Sequence, residues 1–306
     1  MFPGQGSQTV GMGVSLAGAY PSARKRFDDA SKILGYDLLA VCAGGPEEKL
    51  MTATVAQPAL FTAGYATWEV LSAAGIKPAF MAGHSLGEYT ACAAAGAFSF
   101  DEGVRLVKAR SEAMGVAAAS RPGGMLAVLG ANSGDLAGWI EKASSRGLVV
   151  VANENSPGQV IVSGEAAALD AVEAFAREAA VRAIRLKVSG AFHSPLMQEA
   201  AEVMKPVMAG ARMNAPAIPV VGNVSASIIT VDQQVRQELE VQLVSPVRWE
   251  LCVRKMADQG VDTFIEAGPG KVLCGLIKRI DRKLTALPTG DTKELDEAIS
   301  SLKGGV

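Results

Sequence analysis

Short apolar runs alternate along the chain with stretches whose apolar residues recur at helical spacing. That alternation predicts an α/β fold, a sheet covered by helices. Residues 58–74 predict a helix closed by Gly75 and Pro78. Ala79–Ala82 predicts a short strand, followed by an Ala-rich helix to about Ala95. Asp101 is placed to cap a further helix running to about Ala119. Then the pattern changes. Met125–Leu129, Leu148–Ala152, Val160–Ser163 and Ala183–Val188 predict strands. Ser133–Ser145 and Ala166–Ala180 predict helices, and 153–158 a turn-rich link. The order β-α-β-β-α-β is that of a ferredoxin-like unit. It predicts a small subdomain over 121–188, inserted into a larger α/β domain built from 1–120 and 189–306. Ile218–Gly222, Thr263–Ile265 and Thr285–Leu287 predict more strands of the larger domain, and Ser301–Val306 a loose end.

The 306 residues suit about two domains of roughly 150 residues. With 49% apolar and 20% charged residues, the chain can bury a core without staples. Lys and Arg number 29 against 31 Asp and Glu, a net charge of −2 that lacks the basic surplus of a nucleic-acid binder. Cys42, Cys92, Cys252 and Cys274 form no CxxC pair, and only two histidines exist, so no metal site is expected. Scattered thiols fit a reducing compartment. No apolar run approaches the ~20 residues of a membrane helix, and Met1-Phe2-Pro3-Gly4 does not read as a signal peptide. A cytoplasmic protein without a membrane partner is expected.

The chemistry starts at Gly83-His84-Ser85-Leu86-Gly87, a G-x-S-x-G between a predicted strand and a predicted helix. That is the context of a nucleophile elbow. The glycines permit the tight turn, which thrusts the serine hydroxyl outward. The following helix aims free N–H groups at an oxyanion. A serine nucleophile needs a base. His84 adjoins Ser85 on the turn, so its side chain should diverge. His193, in Gly190-Ala191-Phe192-His193-Ser194-Pro195, is the remaining imidazole. No acid stands out as a third member. Asp262 or Glu266 could serve, or a backbone carbonyl or amide oxygen could orient the ring. Gly4-Gln5-Gly6 completes neither G-x-G-x-x-G nor a P-loop, but it can offer backbone N–H groups to an anion, unless it is an ordinary turn. Arg110 lies mid-helix, where spacing alone gives a solvated face.

Together these residues resemble a known family. Gly4-Gln5-Gly6-Ser7-Gln8, Gly83 through Tyr89, Gly190 through Ser194, Gln242 through Trp249 and Glu266-Ala267-Gly268-Pro269-Gly270 occur in the order found in malonyl-CoA:acyl carrier protein transacylases, over essentially the whole chain. The resemblance implies a hydrolase-like α/β core with an inserted ferredoxin-like subdomain. It implies Ser85 as nucleophile, His193 as base, and the Gln242 backbone carbonyl in place of an acid. The oxyanion donors would be the N–H groups of Gln5 and Leu86. Arg110 would grip the malonyl carboxylate, a role suited to a planar fork of donors. His84, Asn153 and Asn155 would line the cleft, and Phe192 would disfavour an α-methyl branch. Family members usually carry a first strand before Phe-Pro-Gly-Gln-Gly, whereas Met1 stands directly before Phe2 here. That would leave Gln5 near a free terminus.

The function this implies is transfer of malonyl from malonyl-CoA to acyl carrier protein by a ping-pong route through Ser85, supplying fatty acid synthesis. Malonyl-CoA and acyl carrier protein are then the partners, CoA is a carrier of substrate, no cofactor is required, and a monomer is expected. Carrier proteins are acidic, so Lys278, Arg279, Arg282 and Lys283 form a candidate docking patch, against the alternative of a solvated helix face. A free-standing acyltransferase serving a polyketide synthase shares nearly all of these motifs. A serine thioesterase or lipase shares the elbow but lacks an HGGG-type loop and an evident acid. A non-catalytic domain of this fold would have no use for Ser85 with His193. A dinucleotide oxidoreductase would need the fingerprint that Gly4-Gln5-Gly6 does not complete.

Overall fold

The structure, a computed structural model, describes residues 1–304. Four helices open it: α1 (Val14–Ala19), α2 (Pro21–Leu34), α3 (Leu38–Gly44) and α4 (Glu47–Met51). There follow α5 (Ala53–Ala73), β1 (Met81–Ala82), α6 (Leu86–Ala94) and α7 (Phe100–Ser120). The next six elements are β2 (Gly124–Leu129), α8 (Ser133–Ala143), β3 (Val149–Ser156), β4 (Gln159–Gly164), α9 (Ala166–Glu178) and β5 (Arg182–Arg185). The chain continues through α10 (Gln198–Gly210), β6 (Val220–Val221), β7 (Ile228–Ile229), α11 (Asp232–Val241) and α12 (Trp249–Asp258). It ends in β8 (Thr263–Glu266), α13 (Val272–Ile280), β9 (Thr285–Pro288) and α14 (Thr292–Lys303).

β1 pairs in parallel with β6, β6 antiparallel with β7, and β8 in parallel with β9. Residues 1–2 join the two pieces. The Phe2 N–H donates to Ala82 O at 2.9 Å, and His84 N–H donates to Phe2 O at 3.0 Å. On the other side, the Met1 amine donates to Ile265 O at 2.8 Å and Ala267 N–H to Met1 O at 2.9 Å. The stretch leading to Gln5 therefore runs inside the sheet, tied on both edges rather than loose. Helices α5, α6 and α7 pack beside it and bury Leu60, Phe61, Tyr89, Leu106 and Val107.

In the second sheet the order is β3-β4-β2-β5, every neighbour antiparallel. That is the order of a ferredoxin-like βαββαβ unit. Leu136 and Trp139 of α8 and Leu169 and Val172 of α9 pack on Leu126, Val128 and Val162. The larger domain meets β3 through the loop before α12, where Val247 N–H donates to Ala152 O and Glu154 N–H to Val247 O, both at 2.9 Å.

Four expectations need correction. The helix predicted from residue 58 starts at Ala53 and carries Pro58 inside it. Ser99, not Asp101, caps α7: its Oγ accepts the Glu102 N–H at 3.2 Å, and Asp101 sits in the first turn. The link read over 153–158 is only a two-residue hairpin, Pro157-Gly158, with Gly158 at φ 70°. β3 therefore carries Asn153 and Asn155 on a strand rather than a loop. Ser301–Lys303 belong to α14, while Gly305 and Val306 lie outside the described residues.

One close approach decides how the sheet meets α6. A Cβ on Gly87 would run into the Phe2 and Pro3 carbonyls. Gly87→Ala should therefore lose roughly 1–3 kcal/mol of stability in urea unfolding; an unchanged midpoint would show that this approach does not constrain the fold.

Candidate active site

The turn between β1 and α6 holds Ser85 at φ 53° and ψ −107°, a strained backbone for a residue with a side chain. A Cβ on Gly83 would strike the Gly87 carbonyl, so this turn requires glycine. Two amide side chains clamp the strained peptide. Asn223 accepts the Ser85 N–H on Oδ1 at 2.7 Å and donates to Gly83 O from Nδ2 at 2.7 Å. Gln242 donates from Nε2 to Ser85 O at 2.9 Å. Asn223 is buried and distant in sequence, and no motif marks it.

His193 stands in the loop after β5, itself at φ 56°. Ser194 shapes that loop, donating to Ala191 O at 2.6 Å. His193 Nε2 lies 2.7 Å from Ser85 Oγ, and Nδ1 lies 3.0 Å from Gln242 O. A carbonyl oxygen only accepts, so Nδ1 carries the proton and Nε2 is left as the acceptor for the serine O–H. Burial, with the Arg110 charge close by, pushes His193 down to about 3. The ring is thus a neutral base at neutral pH. Of the acids weighed, Asp262 lines a separate apolar groove with Met1, and Glu266 accepts the Leu273 and Cys274 N–H groups. Neither holds His193.

Arg110 is 1% exposed, not on a solvated face. From α7 its Nη1 donates to Gln57 Oε1 at 2.6 Å, and its Nη2 to Gln242 Oε1 at 3.0 Å and Ser85 Oγ at 3.1 Å. The guanidinium lies over the Tyr89 ring, 5.3 Å from its centroid. Among the described residues no carboxylate lies within ion-pair distance of it, and Nε has no partner. This is a buried cation without a counter-ion, beside the Ser85 hydroxyl. Gln57, its firmest partner, is also absent from any motif.

These groups open on a cleft of about 280 Å³. Gln5 and Leu86 line it beside Ser85. Among the described residues their N–H groups take no hydrogen-bond partner, as an oxyanion hole requires. Phe192, 6% exposed, forms part of the wall, as do Asn153 and Asn155. His84 also lines the cleft, but its Nε2 lies 2.8 Å from Asn155 Oδ1 and its ring leans on Trp249. Burial lowers its pKa, so neutral His84 donates to Asn155 and ties the elbow to β3. Gln242 sits behind the cleft and reaches the site through its carbonyl and its amide.

The basic cluster divides. Leu273 and Leu276 of α13 line the cleft, and Arg279 from the same helix donates to Gln159, another cleft residue. Arg279 therefore stands at the cleft mouth, whereas Lys278, one residue earlier on the helix, projects from a different face. Among the described residues no group of three or more His, Cys, Asp or Glu could hold a metal, and no helix is long and apolar enough to cross a membrane.

Residues 1–288 match the acyl transferase domain family. The chain belongs to that acyltransferase family. It is 43% identical to the malonyl CoA-acyl carrier protein transacylase of Bacillus subtilis, over 99% of this chain and 96% of that one. Among solved structures, the malonyl-CoA:acyl carrier protein transacylase of Xanthomonas oryzae superposes with a TM-score of 0.95 at 45% identity, covering 98% of this chain and 96% of that one. A malonyl-transacylase in complex with a type II polyketide acyl carrier protein gives the same TM-score at 39% identity, covering 98% of each. The acyltransferase fold, α/β with parallel strands under the nucleophile, agrees with the arrangement expected from the motifs.

The neutral imidazole generates a pH prediction. A base that protonates only near pH 3 should leave kcat/KM for acylation flat between about pH 5 and 7. An acidic limb in the ordinary histidine range would contradict this environment for His193.

Proposed function

We propose that this acyltransferase moves malonyl from malonyl-CoA to the phosphopantetheine thiol of acyl carrier protein through an ester on Ser85. The observation that carries the reading is the unpaired Arg110 cation, 3.1 Å from the nucleophile at the cleft. A substrate carboxylate satisfies it, where an acetyl or long alkyl chain does not. A guanidinium is a planar fork of donors of the kind a carboxylate accepts.

In the first half-reaction the Ser85 hydroxyl gives its proton to His193 Nε2, and Oγ forms a bond to the thioester carbon. The Gln5 and Leu86 N–H groups receive the negative charge on the carbonyl oxygen, a contribution of roughly 3–4 kcal/mol per donor. The carbon–sulfur bond then breaks, and the proton on Nε2 goes to the CoA sulfur. In the second half the carrier thiol gives its proton to Nε2, its sulfur attacks the malonyl ester, and the proton returns to Oγ. The Gln242 carbonyl supports the imidazolium in both halves through Nδ1–H. Neutralisation of Arg110 by the substrate carboxylate also removes the charge that most opposes a proton on His193. Phe192, packed at the wall, narrows the space beside the acyl α-carbon.

The chemistry is complete without a cofactor, and every group comes from one chain, so a monomer suffices. A reducing cytoplasm suits the four buried free thiols. Arg279 at the cleft mouth suits an acidic carrier protein. Residues 121–188 act as the inserted subdomain that supplies the Asn153 and Asn155 wall. A carrier protein of polyketide synthesis is a second reading, favoured by the resemblance to the polyketide complex.

Ser85→Ala should abolish the malonyl adduct seen by intact mass; a persistent adduct would exclude Ser85. In the wild type the adduct should move to phosphopantetheinylated carrier protein, whereas decay to free malonate would favour a hydrolase. Comparing carrier proteins of fatty acid and polyketide synthesis in that chase separates the two pathways. Arg110→Ala should lower kcat/KM for malonyl-CoA by about 100-fold or more, the cost of a buried carboxylate left unpaired. Acetyl-CoA should lose far less, and equal losses would contradict the carboxylate role.

A further inference from the structure

Glu88 lies two residues past Leu86 on α6, fully buried, and has no part in the steps above. One carboxyl oxygen accepts the Asn223 N–H at 2.8 Å. The other accepts from Gln242 Nε2. Its two partners are the two clamps on Ser85, and one of them also bonds Arg110 and His193. We propose that Glu88 is a positioning residue that sets the polarity of the Gln242 side-chain amide, holding its oxygen toward Arg110 and so fixing the guanidinium for a substrate carboxylate.

Gln242 Nε2 spends one N–H on Ser85 O and the other on Glu88, both acceptors. Its Oε1 is then left for Arg110 Nη2 at 3.0 Å. The opposite flip would set an NH2 against a guanidinium, and an oxygen against a carbonyl and a carboxyl. Arg110 has one other side-chain amide partner, Gln57. A flipped Gln242 would therefore push the cation away from the seat beside Ser85. In the buried interior each mismatched donor is left without water or partner, so the preference is steep.

Burial and the neighbouring Glu238 carboxylate push Glu88 up to about 8, while its two N–H donors and Arg110 pull the other way. In either state the acceptor-only Ser85 carbonyl and a carboxyl oxygen of Glu88 face the two Gln242 N–H groups. A neutral carboxylic acid keeps a lone pair on both oxygens, whereas a glutamine in its place turns a nitrogen without one toward a donor. Glu88→Gln thus keeps the volume and replaces one acceptor with an NH2 donor.

The proposal rests on the malonyl reading of the site, and the test separates the two. The rate of covalent loading from malonyl-CoA and from acetyl-CoA is measured by quenched intact mass. Wild type and Glu88→Gln are compared, with thermal unfolding as a check on the fold. Wild type should prefer malonyl. The variant should lose at least about ten-fold of that preference, chiefly on the malonyl side. Gln242→Met keeps the main-chain carbonyl on His193 but removes the amide that Glu88 orients. It should show a similar loss, and the double variant no more than the larger single loss. An unchanged preference in folded Glu88→Gln, equal losses on both donors, or additive losses in the double variant would each overturn the proposal. Should Glu88→Gln fail to fold, an unchanged preference in Gln242→Met overturns it alone. A wild type that loads malonyl no better than acetyl overturns the underlying reading and the proposal with it.

Discussion

The site depends on a hydrogen bond from a side chain to the main chain, His193 Nδ1–H to the Gln242 carbonyl. A carboxylate in that position would attract a proton onto the ring and raise its basicity. A neutral carbonyl fixes the tautomer while leaving the imidazole a weak, uncharged base in a dry pocket. That restraint suits a site that already holds a cation. Arg110 and an imidazolium side by side, both buried, would repel each other with little solvent to screen them. In the proposed mechanism the base therefore stays neutral until an acyl carboxylate meets the arginine.

The strained serine is sustained by its surroundings. Its positive φ costs on the order of 1–3 kcal/mol and persists only where neighbours over-determine it. Asn223 and Gln242 hold the N–H and the carbonyl of that one residue. Glu88 holds both of them from below. The Phe2 strand packs against Gly87 on the other side, which brings Gln5 beside the same helix end. The strained serine, the unpartnered N–H groups of Gln5 and Leu86 and the Arg110 guanidinium therefore converge on one short segment, 83–88, and distortion at any support should reach all three.

Much of this was legible in the sequence. Ser85 stands out because G-x-S-x-G sits between a strand and a helix, and His193 because only two imidazoles exist. The small sheet was readable because its strands alternate with helices at short, regular spacing. Arg110 was not readable from spacing, since an amphipathic helix bearing Arg105 and Lys108 looks solvated; only the family resemblance marked it. Asn223 and Gln57 escaped because neutral amides form no pattern, and Glu88, although inside the Gly83–Tyr89 motif, has a role that lies in hydrogen bonds to residues far along the chain. Asn153 and Asn155 were placed in a loop because Asn, Ser, Pro and Gly are turn residues. Pairing with β4 and the stitch to Val247 outweighed that local preference.

The most direct test is the protonation state of His193 in the substrate-free protein, read from imidazole nitrogen chemical shifts by NMR. Only two histidines need separating. At a pH of about 7 the account predicts a neutral ring with the proton on Nδ1 and a free Nε2 facing the serine hydroxyl. An imidazolium, or a proton on Nε2, would contradict the carbonyl-held base and the mechanism built on it.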